Sequence, residues 1–167
     1  FDQFGRVTGE LRLHGETISI DCIGMRDRTW GRRPENRPRQ AAYVTGAADA
    51  ANGFLAVTNT RPEGDLVAYG FLRRDGETVS LAEGERTLER DPEQGWITRI
   101  ELTARDRNGR KLHAIGRPVS RLIVNRHTFI DINSLIEWDI NGVTAWGEDQ
   151  DMWPVHRWAR LRRGGEV

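Results

Sequence analysis

Apolar residues recur at every second position along most of this chain. Near the start, the alternation continues on both sides of a His14-Gly15 pair and places apolar side chains at Val7, Leu11, Leu13, Ile18, Ile20 and Cys22. A period of two is typical of a β-strand with one apolar face, and a glycine-containing pair between two such runs is typical of a tight turn. The pattern therefore predicts a β-hairpin at the beginning of the chain.

The same pattern returns around three further turn pairs, Asp75-Gly76, Asn108-Gly109 and Asn141-Gly142. Type I′ turns need positive φ at both central residues, which glycine, asparagine and aspartate tolerate. The runs that flank these pairs predict strands over 66–73, 78–81, 97–105, 111–116, 133–140 and 143–147. Four further runs predict strands over 40–45, 53–60, 84–90 and 121–126.

Four segments lack a clear strand pattern. Residues 47–52 fit a brief helical turn or a long loop, and residues 154–161 fit a last strand or one short helix, of which we favour the strand. Residues 32–39 contain two prolines and several charges, which predicts an exposed, extended loop. The residues from 162 to 167 predict a solvated tail.

These elements predict an all-β fold of about ten to twelve antiparallel strands with little helix. A meander of this length hides its edges by closing into a barrel or by curling into a strongly bent sandwich. We expect a single β domain over residues 1–167. A closed barrel of this size has room for one small apolar ligand.

Composition narrows the class of protein. Lys+Arg and Asp+Glu number 25 each, so the chain has no excess positive charge with which to bind nucleic acid or an anionic membrane. No apolar run approaches the roughly 18 residues of a transmembrane helix, so we expect no membrane span and a cytoplasmic location. The single cysteine, Cys22, cannot form an internal disulfide, and we expect it to be a small buried apolar residue.

Residues 24–33 combine charge, aromatic surface and backbone freedom. Arginines at positions 26, 28, 32 and 33 surround Asp27 and Trp30. If this segment enters a barrel mouth, Trp30 supplies an apolar wall, while Arg26 and Arg32 contact a ligand or a carboxylate. The alternative is a structural ion pair beside a packed tryptophan.

Residues 146–153 form a second dense stretch, in which Glu148, Asp149 and Asp151 place three carboxylates within four residues. Carboxylates this close raise one another's pKa unless cations pair with them. The arginines of residues 24–33 are the natural partners, so we predict that the two stretches meet and form one polar site at the mouth of the barrel. A calcium site is the alternative, but the spacing lacks a twelve-residue calcium loop with its glycine, and we expect no bound metal.

Histidines and tryptophans add further candidates. His156 and His127 are candidate proton shuttles, although a lone histidine is more often a hydrogen-bonded structural residue. The six tryptophans fit either core packing or an aromatic-lined pocket. Trp30, Trp146 and Trp153 are the candidates for the walls of such a pocket.

Several familiar catalytic motifs are missing from the sequence. It contains no Gly-x-Ser-x-Gly, no phosphate-binding loop ending in Gly-Lys and no Gly-x-Gly-x-x-Gly after a strand. Hydrolase, kinase and dehydrogenase activities therefore have no motif support, and we expect no cofactor. The candidate catalytic residues are Asp27, Glu148, Asp149 and His156.

The segment from Met25 to Arg33, taken with the segment from Trp146 to Asp151, resembles bacterial proteins related to the carotenoid 1,2-hydratase and AttH group. The most specific part is Arg26-Asp27-x-x-Trp30-Gly31. That group is built from two lipocalin-like β domains, and this chain looks like the C-terminal one. The resemblance implies a lipocalin-like (calycin-like) barrel, an apolar small-molecule ligand and a companion N-terminal β domain.

Some members of that group resemble hydratases that act on alkenes, and related folds act as cyclases. Hydration of an isoprenoid alkene needs an acid that stays protonated in an apolar site and aromatic faces that stabilise a carbocation. Asp27, Glu148, Asp149 and Asp151 are candidate acids, although an adjacent arginine lowers the pKa of a carboxylate. We therefore expect a cofactor-independent hydratase, isomerase or cyclase acting on an isoprenoid-like or aromatic substrate. The alternative is a non-catalytic ligand-binding or domain-stabilising module.

Overall fold

The computed structural model describes residues 1–32 and 40–164. These residues form ten β-strands and one short helix, with the bounds β1 Asp2–Leu13, β2 Glu16–Asp27, β3 Ala41–Ala47, β4 Gly53–Arg61, β5 Gly64–Arg74, β6 Glu77–Arg90, β7 Ile97–Asp106, β8 Lys111–Asn125, β9 Phe129–Ile140, β10 Val143–Pro154 and α1 Val155–Leu161. Residues 33–39 of the predicted loop and residues 165–167 of the predicted tail lie outside the described part of the chain.

Eight of the strands close into a barrel. Strands β3 to β10 pair in chain order, each antiparallel to the next, and β10 returns to pair with β3. Strands β1 and β2 form a separate two-stranded sheet. This architecture confirms the predicted all-β antiparallel barrel, and it fits a lipocalin-like barrel.

The turns follow the predicted chemistry at three of the four pairs. Both residues have positive φ in His14-Gly15, Asp75-Gly76 and Asn141-Gly142, as a type I′ turn requires. The pair Asn108-Gly109 differs, because only its glycine has positive φ. There the Asp106 carboxylate accepts the backbone N–H of Asn108 at 2.9 Å and closes a longer turn.

Two predicted strand breaks are absent, and one predicted strand is a helix. The runs 78–81 and 84–90 join into β6, and the runs 111–116 and 121–126 join into β8, each with an irregular register in the middle. The prediction of a strand over 154–161 is wrong, because α1 follows Pro154 directly. Proline suits the start of a helix, where its missing N–H is not needed.

The middle of the barrel is filled with side chains. Trp138 is fully buried, lies edge-on to Phe54 with ring centroids 5.4 Å apart, and donates its indole N–H to the Thr45 carbonyl at 2.9 Å. A Cβ at Gly116 would lie 2.5 Å from the Trp138 ring, so this strand position has to be glycine. The barrel therefore has a packed core at its centre, as close-packed protein interiors do.

Helix α1 packs against one end of the barrel through aromatic rings. Trp158 of the helix lies 5.8 Å from Trp153 at the end of β10 and 5.4 Å from Trp96 in the turn before β7. Arg90 stacks on Trp153, and Arg162 stacks on Trp96 and Trp158. Three of the six tryptophans are thus used in closing this end of the fold.

The β1–β2 hairpin rests on the barrel only near its base. Phe4 is 8% exposed and packs on Phe71 with ring centroids 5.8 Å apart. Asp2 accepts a hydrogen bond from the Tyr43 hydroxyl at 2.9 Å. Further along, both strands are exposed. Cys22 is exposed on β2, so the prediction that it is a buried residue is wrong.

Candidate functional site

A cleft separates the base of the hairpin from the outer surface of the barrel. Its volume is about 280 Å³. We call it the hairpin cleft, and it is lined by Phe4, Ile23, Gly24, Met25, Thr45, Ala47, Leu135, Trp146, Gly147 and Glu148. Most of this lining is apolar, and among the described residues Glu148 is the one ionisable side chain in it.

The cleft unites parts of the two dense stretches of the sequence. Gly24 and Met25 come from residues 24–33, and Trp146 and Glu148 come from residues 146–153. Their meeting place is the side of the barrel, next to β3, β9 and β10, instead of the predicted mouth. The side chains that meet are apolar groups and carboxylates, and not the predicted arginine–carboxylate pairs.

Glu148 is attached to β3 in an unusual way. Strand β10 pairs with β3 at Trp146 and again from Asp149 onward. Between these points the backbone N–H of Glu148 donates to the Thr45 side-chain hydroxyl at 3.2 Å, while the Thr45 carbonyl accepts the indole N–H of Trp138 at 2.9 Å. The regular ladder is thus interrupted at the residue whose carboxyl group lines the cleft.

Gly147 makes this close approach possible. A Cβ at this position would lie 1.9 Å from the Thr45 carbonyl oxygen, which is far inside any allowed contact. The glycine lets the two backbones approach, so that the Thr45 hydroxyl reaches the next N–H along β10. Isolated glycines within strands commonly mark such a close backbone approach.

The surroundings of Glu148 favour its neutral form. Its half-burial raises the pKa of the carboxyl group above its ordinary value, and the nearby charges of Asp131 and Asp27 raise it further. The Gln150 side-chain amide, 3.3 Å away, acts in the opposite direction. Within the described residues, no arginine or lysine forms an ion pair with Glu148. Desolvation and nearby like charges both raise the pKa of a carboxyl group.

Tyr43 and Asp131 are two further ionisable residues near the cleft, and both have a raised pKa. Burial and the hydrogen bond to Asp2 raise the pKa of the Tyr43 hydroxyl, which therefore remains a donor. Asp131 is buried on β9, and its burial raises the pKa of its carboxyl group despite Arg126 at 3.3 Å. The Oδ1 atom of Asp131 has no hydrogen-bond partner among the described residues.

The residues of the first stretch divide between two faces of the hairpin. Asp27 lies on the barrel-facing side, near enough to influence Glu148, and accepts a hydrogen bond from the Thr29 hydroxyl at 3.1 Å. Among the described residues no arginine pairs with Asp27, so the structural ion pair considered for this segment is not seen there. Trp30 is 68% exposed and contacts Phe1 and Arg28 outside the cleft.

The arginines proposed as ligand contacts also lie away from the cleft. Arg26 stacks on the Phe1 ring at 5.3 Å, and Arg32 is exposed. Arg33 lies outside the described residues. The structure therefore does not bring Arg26, Arg32 or Trp30 together with Glu148.

Asp149 and Asp151 point into the barrel, opposite to Glu148. Arg86 of β6 donates to both oxygens of Asp149 at 2.9 and 2.7 Å, and to Asp65 at 2.7 Å. Arg90 donates to Asp151 at 2.8 Å. The predicted pairing of these carboxylates with residues 24–33 is therefore corrected: their partners are two arginines of β6.

The internal network has more carboxylates than guanidinium groups, and this balance affects the pKa values of its carboxylates. Three carboxylates, from Asp65, Asp149 and Asp151, face the two guanidinium groups of Arg86 and Arg90. Burial raises the pKa of Asp149 to about 6, while the two arginines hold the pKa of Asp151 below its usual value. With every carboxylate tied to a guanidinium, the network is suited to hold β6 to β10 and not to donate a proton to a ligand.

The three remaining candidates, Trp153, His156 and His127, lie outside the hairpin cleft. Trp153 is buried and donates its indole N–H to Asp151 at 2.8 Å, so it belongs to the internal network. His156 is exposed on α1 and lines a separate shallow cleft beside Gln40 and Thr60. His127 is exposed in the turn before β9.

A larger cavity of about 550 Å³ lies at the end of the barrel that carries the turns after β3, β5 and β9. Leu72 and Ile140 line it, together with Arg73, Arg74 and Lys111. Arg73 donates to the Ala50 carbonyl and the Thr78 hydroxyl, and Arg74 donates to the Lys111 carbonyl. Its size exceeds that of the hairpin cleft, and hydrogen bonds from Asn52 and the Ala51 backbone lower the pKa of Asp49 in its wall.

Sequence reasoning missed Arg86, Tyr43 and Thr45. A signal for Arg86 was present, because it lies two residues before Leu88 and therefore on the same face of β6, which predicts an inward-facing charge. Tyr43 and Thr45 lie in a short apolar run with no signal of function. Their roles depend on which strands pair with β3, which a local pattern does not specify.

No helix in residues 1–32 or 40–164 has the length and apolar character needed to cross a bilayer. No curated protein and no solved structure matches the chain. A family model does match it, over residues 1–154, and these include every strand and the whole hairpin cleft. The chain belongs to the family described as "Domain of unknown function (DUF7064)".

Proposed function

We propose that this protein binds a small apolar molecule in the hairpin cleft and that Glu148 donates a proton to it. The observation that carries this proposal is the position of the half-buried Glu148 carboxyl group in the wall of a mostly apolar cleft, where burial and the charges of Asp131 and Asp27 raise its pKa. A protonated carboxylic acid beside apolar surface is the arrangement used by general acids that act near neutral pH.

The cleft supports a ligand of limited size. Its volume of about 280 Å³ is near the lower end of the roughly 300–1,000 Å³ typical of small-molecule sites. Such a space fits one aromatic ring or one end of an isoprenoid chain, with the remainder of a longer molecule extending over the exposed face of Trp146. The indole face of Trp146 would also stabilise positive charge that develops on the ligand.

Hydration of an alkene is the reaction that this arrangement serves best. The Glu148 carboxyl group would transfer its proton to one alkene carbon and leave a carbocation on the neighbouring carbon. Water would add to the carbocation, and the proton lost from that water would return to the Glu148 carboxylate. Atoms and charges balance over this cycle without a cofactor, and isomerisation would follow if a neighbouring C–H lost its proton instead.

The roles of the other carboxylates differ in this proposal. Asp27 and Asp131 act through their charge, which helps to keep Glu148 protonated. Asp149 is excluded from the donor role by its two hydrogen bonds from Arg86. Tyr43 holds the base of the hairpin through Asp2 and thereby maintains the width of the cleft.

A non-catalytic module is the second candidate function. It is favoured by the filled barrel interior and by the internal network of Arg86, Asp149 and Asp151, which stabilises the fold without facing the cleft. Under this alternative, the cleft would bind an apolar ligand, or support another domain, without proton transfer.

Deuterium transfer from solvent distinguishes the two functions. The protein would be incubated in D₂O with myrcene, a small isoprenoid alkene, and the recovered probe and any alcohol would be analysed by mass spectrometry. The proposal predicts deuterium at carbon with the native protein and none with Glu148→Gln, while Glu101→Gln, at a partly buried carboxylate outside the cleft, retains the transfer. Equal binding of myrcene by native protein and Glu148→Gln, with no deuterium transfer by either, would favour the non-catalytic module.

A further inference from the structure

One face of the β1–β2 hairpin is apolar and exposed. Side chains alternate across the hairpin, so the face that turns away from the barrel carries the odd positions of β1 and their even partners on β2. We call this the outer face. Its middle and tip are formed by Val7, Cys22, Ile20, Leu11, Ile18 and Leu13, and among these Val7, Leu11, Leu13 and Ile18 are each 40–49% exposed.

The opposite face of the same hairpin is polar beyond its base. There Arg6 forms an ion pair with Asp21 at 2.6 Å, and Glu10 lies opposite Ser19. A two-stranded hairpin in water normally needs a further layer on its apolar side for stability. The apolar side of this hairpin is the outer face, on which no other described strand or helix packs.

Charges lie at the two ends of the outer face. Arg26 and Arg28 lie at the base, where they stack on Phe1 and Trp30 but form no ion pair with a carboxylate of the described chain. Glu16 lies at the tip, opposite Leu13, and likewise has no ion-pair partner among the described residues. The face therefore has a cationic end, an apolar middle and an anionic end.

This pattern is complementary to itself in the antiparallel sense. When two outer faces meet about a two-fold axis through the Val7–Cys22 pair, Glu16 of one copy reaches Arg28 of the other, and Leu13 reaches Phe1. The flat pair Gly5–Gly24 then lies opposite Ile20, and Gly5 has open space where a side chain would be. Isologous interfaces require such matching of one patch with itself.

We propose that the outer face of the hairpin packs against the outer face of a second copy of this chain. The barrels then lie at opposite ends of the joined hairpins, because each barrel contacts its own hairpin through the other face. A ribbon of 12 residues is about 40 Å long and about 10 Å wide, so the two copies bury on the order of 800 Å² in total. This area is below the usual 1,200–2,000 Å² of stable interfaces. We therefore expect a weak dimer with a dissociation constant on the order of 10–100 μM.

Sedimentation velocity over a concentration series tests the proposal with the whole chain. The native protein should shift from monomer to dimer with concentration. Val7→Glu places two carboxylates against each other at the symmetry axis and should weaken the dimer at least about tenfold. Thr17→Glu adds the same charge to the opposite face of the hairpin, beside Arg12, and should leave the dimer unchanged. Circular dichroism verifies that both variants keep the native fold.

A charge exchange tests the antiparallel alignment. Glu16→Arg and Arg28→Glu should each weaken the dimer, and the double variant should restore it to within about threefold of the native protein. A short bismaleimide should also cross-link two native chains through Cys22 and fail with Cys22→Ser. A monomer at all concentrations, equal effects of Val7→Glu and Thr17→Glu, or failure of the double variant to restore the dimer would each overturn the proposal.

Discussion

The Thr45 hydroxyl accepts the backbone N–H of Glu148 at 3.2 Å, in place of a regular bond between the β3 and β10 backbones. Local departures from regular pairing are expected where a protein positions a functional group. Here the departure lies where the two dense stretches of the sequence meet, and the Glu148 carboxyl group lines the hairpin cleft. The geometry of this one contact therefore connects the fold to the proposed chemistry.

Gly147→Ala should disrupt that contact. The new Cβ would lie 1.9 Å from the Thr45 carbonyl oxygen, so the two strands have to separate. We expect a loss of about 1–3 kcal/mol in the free energy of unfolding, measured by urea denaturation. Gly5→Ala is the matched control, because a Cβ there meets nothing within 4 Å, and it should change stability by less than about 0.5 kcal/mol. Equal effects of the two variants would contradict the proposed close approach.

Glu148→Gln should alter the dependence of stability on pH. The folded-state pKa of Glu148 is raised above the ordinary 4.5, so the stability that this carboxyl group contributes is complete below about pH 4.5 and is lost as pH rises through the folded-state pKa. Thermal unfolding between pH 4 and pH 8 should therefore show the variant gaining stability relative to the native protein as pH rises.

Glu101→Gln provides a control of opposite sign for the same measurement. Hydrogen bonds from His113 and Arg99 lower the pKa of Glu101, so its contribution is present above the ordinary pKa and is lost as pH falls. This variant should lose stability relative to the native protein as pH rises from acidic values. The same sign for both variants would show that Glu148 is not held in its neutral form.

Arg86→Met should strongly destabilise the barrel. Arg86 is buried and binds Asp149 and Asp65, so its removal leaves buried carboxylates without their cation. Loss of one partner from a buried ion pair costs about 3–5 kcal/mol, which urea denaturation would measure. Arg99→Met, at a solvent-exposed ion pair, should cost less than about 1 kcal/mol. A small effect at Arg86 would mean that the internal network contributes little to holding β6 against β10.

Tyr43→Phe should loosen the base of the hairpin. The variant loses the hydrogen bond to Asp2 and should lower the free energy of unfolding by about 1 kcal/mol. Amide hydrogen exchange should accelerate in β1 and β2 more than in the barrel strands, because the hairpin rests on the barrel mainly through this end. Uniform acceleration over the whole chain would contradict the proposed local role of Tyr43.

The fold was predictable because it is encoded in local features of the sequence, namely the two-residue period of the strands and the residues of the turns. The period-two pattern predicted ten to twelve strands, and turn pairs such as Asp75-Gly76 and Asn141-Gly142 predicted where the chain reverses. A short helix over 154–161 was considered, but the strand was favoured because these residues alternate weakly in either conformation. The packing of Trp158 on Trp153 and Trp96 accompanies the helical conformation, and it depends on residues far away in sequence.

The candidate site was predictable only in part. The acidic stretch at 146–153 was recognisable, but its members separate because alternate residues of a strand face opposite sides: Glu148 faces the cleft, and Asp149 faces the barrel interior. The two-residue period of a strand already predicts that neighbouring residues such as Glu148 and Asp149 face opposite sides. The choice of Arg86 over the arginines of residues 24–33 was not predictable, because it depends on the closure of the barrel.

The most direct test of the central claim is the titration of Glu148 by ¹³C NMR. The protein would be labelled at the glutamate side-chain carboxyl carbon, and the Glu148 signal would be assigned by its absence in Glu148→Gln. We expect a titration midpoint above the ordinary value of 4.5, because half-burial and the neighbouring carboxylates disfavour the charged form. A midpoint at or below 4.5 would contradict the role of Glu148 as a proton donor in the hairpin cleft.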